Sequence, residues 1–488
     1  MNRKIPRTMS TQHPDNVRMP FFIENSVIGG EDEIKEAFYV FDHLKCEEQL
    51  WDAEGKEVDN HVVKKLLHAY PEFFTENKLG QDVFLTLRVP NPRVEQNEAK
   101  ILLETLESLP RNSDIAKAFY GKTQIPVFEV CLPMTQTAQE ARHIEDYYKK
   151  FVGGKETQKL SEGTLVGDWI GEFKPDTIQV IPLIEEKEAL LNAGKIVGEL
   201  VKGKKTDHQR VWLAFSDPAE NYGLISTALL NKIALQELDE VEEKTSVQIY
   251  PIAGMGGAPF RGNLLPGKEQ DCMNEFSSVQ TFTIQSAFKY DANEKEVRES
   301  IENINTGKKK KAKIIEQTQA LAIIEKYSEE YQKQVEGLAD LINKTAEFVP
   351  SRRKRKLHTG LFGYSRKVGK QKLPRAIKFC AALYSIGIPP EFLGLNALNE
   401  KEMDWILDHY PKLKLDLEEA GKYLNEIHFK KEVRAGNEIL EKLKEFKINP
   451  NTEHQKLTQQ IYEKIAKNQT HELHDLIVKA GWQRKFLG

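Results

Sequence analysis

Residues 247–263 read VQIYPIAGMGGAPFRGN, an apolar run from Val247 to Ala253 that empties into a glycine-rich loop carrying Arg261. Glycines at 254, 256 and 257 let the backbone approach a ligand closely and leave its N–H groups free to point inward. The guanidinium of Arg261 adds a planar, permanently charged fork that matches phosphate or carboxylate oxygens. A strand that ends in such a loop suits a bound anion. A tight structural turn is the other use of the same glycines.

Similar short runs, rich in β-branched and aromatic residues, flank this one along the chain. They are Val83–Val89, Val127–Leu132, Ile178–Ile184, Val211–Phe215, Thr281–Ile284 and Leu357–Tyr364, with Phe392–Leu395 a weaker candidate. Amphipathic stretches separate most of them: Val94–Leu109, Glu186–Val201, Tyr222–Val241 and Ala312–Val349. Near-continuous apolar strands alternating with helices belong to a parallel sheet covered on both faces. Seven or eight such units predict an α/β chain closed as a (β/α)8 barrel of the TIM type. The expected barrel domain covers residues 1–400, with helical insertions, and a helical extension follows at 401–488. That extension is charge-rich from Leu415, carries apolar spacing at Ile439, Leu440, Leu443 and Phe446, and breaks at Asn449–Asn451 before Leu457–Ala480. It is expected to pack on the barrel or at a subunit interface. Several runs end in a polar group: Arg88, Glu185, Asp217, the Gly254 loop, Gln285 and Arg366. Barrel enzymes gather catalytic groups from the carboxyl ends of different strands, so this recurrence favours the closed barrel.

The 488 residues are 40% hydrophobic and 30% charged, with a net charge of −4, the profile of a globular chain with no global field for nucleic acid or an acidic membrane. The basic runs Lys308–Lys311 and Arg352–Lys356 read as a solvated helix start and a charged strand entry. Four well-separated cysteines without a CxxC pair disfavour a zinc site or a disulfide framework and fit a reducing compartment. The N-terminal MNRKIPRTMSTQHPDN lacks an apolar signal-peptide segment, and no stretch approaches the ~18 apolar residues of a membrane span. The expected location is the cytoplasm, with neither nucleic acid nor membrane as partner.

Two carboxylates close apolar strands, Glu185 in VIPLIE and Asp217 in VWLAFSD. An unpaired carboxylate at a barrel rim is costly, and Mg²⁺ held by one or two carboxylates plus substrate and water removes that cost. Salt bridges, or a helix N-cap before Pro218, are the alternatives. Arg88, Arg261, Arg366 and Arg375 fall at strand ends or loop–helix junctions, where they could clamp a small polyanion if they converge. His13, in the compact segment STQHPDN with Thr11 and Gln12 beside it, is the best-placed proton carrier. His61, His68, His143, His471 and His474 read as surface or packing residues and His358 as structural. There is no GxxxxGK[ST] loop, no strand-linked GxGxxG and no GxSxG elbow, which removes three common chemistries.

Six segments in order, STQHPDN, VIPLIE, FSDPAENYG, GMGGAPFRG, TIQSAFKYD and GYSRKVGKQKLPRAI, span some four-fifths of the chain and resemble phosphoenolpyruvate carboxylases of the short archaeal type. The resemblance implies a homotetrameric (β/α)8 barrel that carboxylates phosphoenolpyruvate with bicarbonate. Mg²⁺, with Mn²⁺ as a substitute, is the implied cofactor, and oxaloacetate and phosphate are the implied products. By similarity to the longer bacterial and plant enzymes, His13 matches the catalytic histidine of a TxHPT segment, Glu185 the metal-binding glutamate of PLFE, and Asp217 the metal-binding aspartate of YSDS. Arg261 falls on the second arginine of the GRGGxxGRGG loop, Arg366 and Arg375 on two further active-site arginines, and Arg88 on an arginine of an early strand. Gly256, Gly257 and Gln285 join Arg88 as expected substrate contacts. Met255 departs from the pattern, since the longer enzymes carry the first loop arginine there. Glu220 departs too, standing where they have lysine, and the spacing from Arg366 to Arg375 is shorter. Competing expectations are another Mg²⁺-dependent barrel acting on phosphoenolpyruvate or pyruvate without bicarbonate, and a non-catalytic assembly protein on the same fold.

Overall fold

The computed structural model of the chain describes residues 3–53, 59–354, 366–368 and 371–488. Eight parallel strands close into a barrel: β1 (Thr8–Ser10), β2 (Glu48–Asp52), β3 (Phe84–Arg88), β4 (Glu129–Leu132), β5 (Gln179–Ile184), β6 (His208–Ala214), β7 (Gln248–Gly254) and β8 (Thr281–Ile284). β1 completes the ring, with Met9 opposite Glu48 of β2 on one side and Thr283 of β8 on the other. The expected (β/α)8 barrel is the fold.

Six of the expected runs became β3 to β8. The hydrophobic pattern missed two strands: TMS in β1, which is only three residues long, and EQLWD in β2, which carries Glu48 and Asp52 on the face that turns into the barrel. Phe392–Leu395 is no strand, because Pro389 and Pro390 withhold ladder N–H groups and the chain makes a 3-10 turn at Pro390–Phe392. Leu357–Tyr364, with His358, lies outside the described residues. Beyond it, a short hairpin pairs β9 (Arg366–Val368) with β10 (Gln371–Leu373).

The period of two along each strand sorts the interior into layers. Nearest the strand N-termini sits a buried ionic layer. Arg210 donates to Glu48 at 2.6 and 2.8 Å, to Glu129 at 3.1 Å and to Thr281 at 3.3 Å, while Arg3 reaches Glu129 from outside. Two residues further along come Leu50, Cys131, Ile181, Trp212 and Ile252, which with Met9, Leu183 and Ala214 form an apolar cluster of their own. The next inward positions are Asp52, Arg88, Glu185, Gly254 and Gln285 at the carboxyl rim.

Helices cover the outside. Leu224–Thr245 is buried nearly all round because the 30-residue helix Gln317–Ala346 lies over it, Ser226 meeting Ser328 at 2.8 Å. A continuous apolar core runs from these helices into Lys412–Gly421, Glu426–Glu432, Gly436–Leu443, Thr452–Ala466 and Leu473–Arg484. The four cysteines are buried and form no disulfide, and among the described residues no helix is long and apolar enough to cross a membrane.

Both basic runs differ from expectation. Lys308–Lys311 starts no helix; it links Glu294–Thr306 to Gln317–Ala346, with Lys309 and Lys311 paired to Glu242 and Glu243. Arg352 and Arg353 are buried, and Arg353 bridges Glu33 and Glu36 of helix Glu31–Asp42. A guanidinium that finds carboxylates inside the fold has no reason to remain in solvent.

Candidate active site

A cavity of about 310 Å³ opens at the carboxyl rim of the barrel. It is lined by seven of the ten residues expected from sequence: His13, Arg88, Glu185, Asp217, Arg261, Gln285 and Arg375. Gly256 and Gly257 lie in the loop beneath Arg261. The backbone of Arg366 opens β9, and its side chain is outside the described residues.

Arg261 is the most constrained of these groups. It ends a 3-10 turn, Pro259–Arg261, and is 1% exposed. Its Nε donates to Ser216 Oγ at 2.9 Å, Nη1 to Asp15 Oδ2 at 3.1 Å and to the main-chain oxygen of Gly488 at 2.7 Å, and Nη2 to Gln285 Oε1 at 2.6 Å. The glycines of the opening motif make room for this arrangement. A Cβ on Gly256 would come within 2.7 Å of Arg261 Cζ, one on Gly254 within 2.5 Å of Trp212 Nε1, and one on Gly257 within 2.9 Å of Leu265. All three positions are set by close approach. Met255 points the other way, fully buried in the apolar core against Gly262, so its position contributes no side chain to the cavity.

His13 follows β1 directly, half-buried, with Nδ1 2.8 Å from Thr11 Oγ1. Gln12 Oε1 accepts from the backbone N–H of Asp52 at 3.0 Å, tying this segment to β2. Asp15 accounts for the rest of its rigidity: Oδ1 accepts from the Ala287 amide at 2.7 Å, and Oδ2 accepts from Gly257 and Arg261. One buried carboxylate therefore holds the histidine segment, the glycine loop and the helix after β8. Nothing in the hydrophobic pattern pointed to Asp15, although it lies two residues from a histidine already singled out.

Asp52 of β2 performs the same service for Arg88, in a bidentate pair at 2.6 and 3.0 Å. Glu185 extends from β5, with Oε2 accepting from the Met134 amide at 3.0 Å. Asp217, after β6, lies in the first turn of helix Ser216–Tyr222, where the helix N-terminus favours a negative charge. Arg375 is the N-cap residue of helix Ala376–Ser385 and is solvent-exposed at the cavity. The roof adds groups that the sequence reading left out: Arg352, Arg353 and Lys378. Arg88, Arg261, Arg352, Arg375 and Lys378 thus line one cavity with Glu185 and Asp217, and Arg353 borders it with its guanidinium turned onto Glu33 and Glu36.

An excess of fixed cations around two carboxylates, at the carboxyl face of a closed β/α barrel, defines a TIM-barrel enzyme built for small anionic substrates. Residues 5–488 match the family model described as phosphoenolpyruvate carboxylase. The chain is 53% identical over 488 residues to the phosphoenolpyruvate carboxylase of Methanothermobacter thermautotrophicus, covering 99% of this chain and 100% of that one. Against the enzyme of Methanospirillum hungatei it is 51% identical over 488 residues, with 99% and 100% covered. Against that of Pyrococcus abyssi it is 51% identical over 444 residues, with 91% and 93% covered. The chain belongs to the phosphoenolpyruvate carboxylase family.

Proposed function

We propose that this chain carboxylates phosphoenolpyruvate with bicarbonate, yielding oxaloacetate and phosphate, and so replenishes four-carbon acids for central metabolism. The observation that carries this reading is the cavity's charge balance. Arg88, Arg261, Arg352, Arg375 and Lys378, lining one small cavity, suit two anionic substrates bound together, and the two carboxylates suit a divalent metal.

Glu185 and Asp217 would hold Mg²⁺, or Mn²⁺ in its place. Their hard oxygen donors come from the ends of adjacent strands, and a backbone N–H already orients Glu185. Among the described residues no three or more His, Cys, Asp or Glu side chains form a ligand cage, which fits a cation that keeps water and substrate in its shell. The bound metal supplies Lewis acidity, stabilising charge on the phosphate and on the enolate oxygen.

The arginines bind and orient. Bicarbonate attacks the phosphoryl phosphorus, the bond to the enol oxygen breaks, and carboxyphosphate and the enolate of pyruvate result. His13, aligned by Thr11, accepts the carboxyphosphate proton, and CO₂ and phosphate separate. Arg261, fixed on four sides, holds them beside the enolate until the carbon–carbon bond forms. Free lysines on long stems would hold the same charges less rigidly.

The test is oxaloacetate formation, followed by coupled reduction to malate, with phosphoenolpyruvate, Mg²⁺ and bicarbonate supplied. Bicarbonate-dependent oxaloacetate that stops on chelation and returns with Mg²⁺ is the expected result. Product formed without bicarbonate would instead favour another phosphoenolpyruvate-using barrel, and no turnover would favour a non-catalytic assembly role. The assembly proposed is a homotetramer, checked by sedimentation. The proposed location is the cytoplasm, supported by four buried cysteines that form no disulfide.

A further inference from the structure

The turn that aims Arg261, Pro259–Arg261, packs against a second 3-10 turn, Pro390–Phe392, whose central residue is the fully buried Glu391. Glu391 has no part in the chemistry above. Tyr384, on the helix that begins at the cavity, donates its hydroxyl to Glu391 Oε1. Oε2 has no hydrogen-bond partner among the described residues. The backbone of Phe260, next to Arg261, lies close enough to act on the same carboxyl group. Phe260 is itself wedged between Tyr331 and Phe379, with ring centroids 6.1 and 6.0 Å away.

Among the described residues, the groups that act on Glu391 offer no compensating positive charge. Helix Ala376–Ser385 presents Tyr384 and Cys380, helix Gln317–Ala346 presents Tyr327 and Tyr331, and Asp416 and Tyr423 approach from the side of helix Lys412–Gly421. Glu220 acts on Cys380 and Tyr331 from helix Ser216–Tyr222. The nearby cations are engaged elsewhere. Arg261 holds the partners already named, and Arg484 lies over the Tyr384 ring at 5.6 Å while donating to His454 and Leu487.

We infer that Glu391 is a positioning residue for Arg261: its uncharged carboxyl group locks the Pro259–Arg261 turn onto the Tyr384 helix, and ionising it unlocks that turn. An isolated carboxylate in a dry interior is strongly unfavourable, so the neutral acid is the form that the closed packing accepts. Burial above all pushes the carboxyl up to about 8, with Asp416 adding to the effect and the Tyr384 hydroxyl and the backbone N–H groups of Glu391 and Phe260 acting against it. The neutral form thus holds at neutral pH, and ionisation sets in above it. Because the turn carries Arg261, the consequence is loss of the positioned guanidinium at alkaline pH, ahead of any general unfolding.

The inference rests on the proposed carboxylase reading, and its test separates the two. Oxaloacetate and pyruvate formation are measured from pH 6.5 to 9.5 for the full-length enzyme and for Glu391→Gln, which mimics the neutral acid. The two should agree within about twofold at pH 7, while at pH 9 wild type should lose roughly tenfold more than the variant. Changes in bicarbonate and substrate ionisation fall on both proteins alike, so the ratio reads Glu391. Wild type should also divert more product to pyruvate as pH rises, and the variant should not. Identical alkaline limbs would overturn the inference, as would a variant that folds normally yet is impaired at every pH. A second measurement needs neither activity nor the variant's stability. Infrared spectra of wild type, isotopically labelled at glutamate, should show a protonated carboxyl band at pH 7 that vanishes by about pH 9. Absence of that band at pH 7 overturns the inference even in an active enzyme. Absence of turnover with the band present overturns the carboxylase reading and, with it, the role toward Arg261.

Discussion

The two ends of the barrel hold the same residue types in opposite arrangements. At the strand N-termini, Arg210 is fully buried between Glu48 and Glu129, so guanidinium and carboxylates neutralise one another inside the barrel. At the carboxyl rim, Arg88, Arg261, Arg352, Arg375 and Lys378 line a cavity with Glu185 and Asp217, while the guanidinium of Arg353 behind them is turned onto Glu33 and Glu36. Charge balanced within the fold closes a barrel end. Charge in excess, held rigidly around a cavity, readies the other end for anions. The contrast predicts that substitutions at the rim change turnover and those at the base change stability.

The largest effect should come from Asp217→Asn or Arg261→Ala, each expected to lower kcat/KM by about 10²–10³-fold, with little change in melting temperature for Asp217→Asn and a clear drop for Arg261→Ala, which leaves the buried Asp15 without its guanidinium. For Asp217→Asn the Mg²⁺ requirement should rise, and an unaltered requirement would remove that residue from the ligand set. For Arg261→Ala the missing oxaloacetate should appear partly as pyruvate. Unchanged partitioning would break the role given to Arg261.

At the base, Arg210→Ala should cost about 3–5 kcal/mol, because it strands the buried Glu48 and leaves Glu129 with Arg3 alone, while kcat of the folded enzyme stays near wild type. Denaturant unfolding beside kinetics reads both, and a variant that melts normally but turns over slowly would erase the contrast. Acid should probe the same layer. Burial pushes the Glu129 carboxyl up, but Arg3 and Arg210 outweigh it and hold it at about 2. Glu36, beneath the roof arginine Arg353, is held at about 2 by Arg353 and Lys289 against the same burial effect. A depressed carboxyl contributes stability above its unfolded value near 4.5 and loses it as pH falls toward 2. For Glu129 this should amount to a few kcal/mol, roughly 2–3, visible as a melting temperature that drops across this window in wild type but less in Glu129→Gln. The smallest effect should be that of Gly256→Ala, whose methyl group meets Arg261 Cζ. It should cost about tenfold in turnover and only 1 kcal/mol or so in stability.

β3 to β8 were visible as hydrophobic runs, because apolar residues fill most of their positions even where Glu129 and Arg210 turn inward at the strand starts. β2 was not, because its inward positions are Glu48, Leu50 and Asp52, charged at both ends to meet Arg210 and Arg88. β1 is three residues long and polar, too short to leave a pattern. The same limit applied to the site. Residues at strand ends, such as Glu185 and Asp217, announced themselves by interrupting an apolar run. Asp15, Asp52, Arg352 and Arg353 did not, since their partners lie 36 to more than 300 positions away along the chain.

By itself the sequence determined the repeating strand–helix pattern, the ordered motifs that mark the family, and the glycine loop with its arginine. Those features are local, written into short-range periodicity and into glycines that only a close approach explains. Tertiary structure alone decided that the arginines converge, that Met255 turns into the core, that Glu391 sits uncharged behind the loop, and which charges close the barrel and which open it. Each depends on distances between segments that only the closed ring brings together.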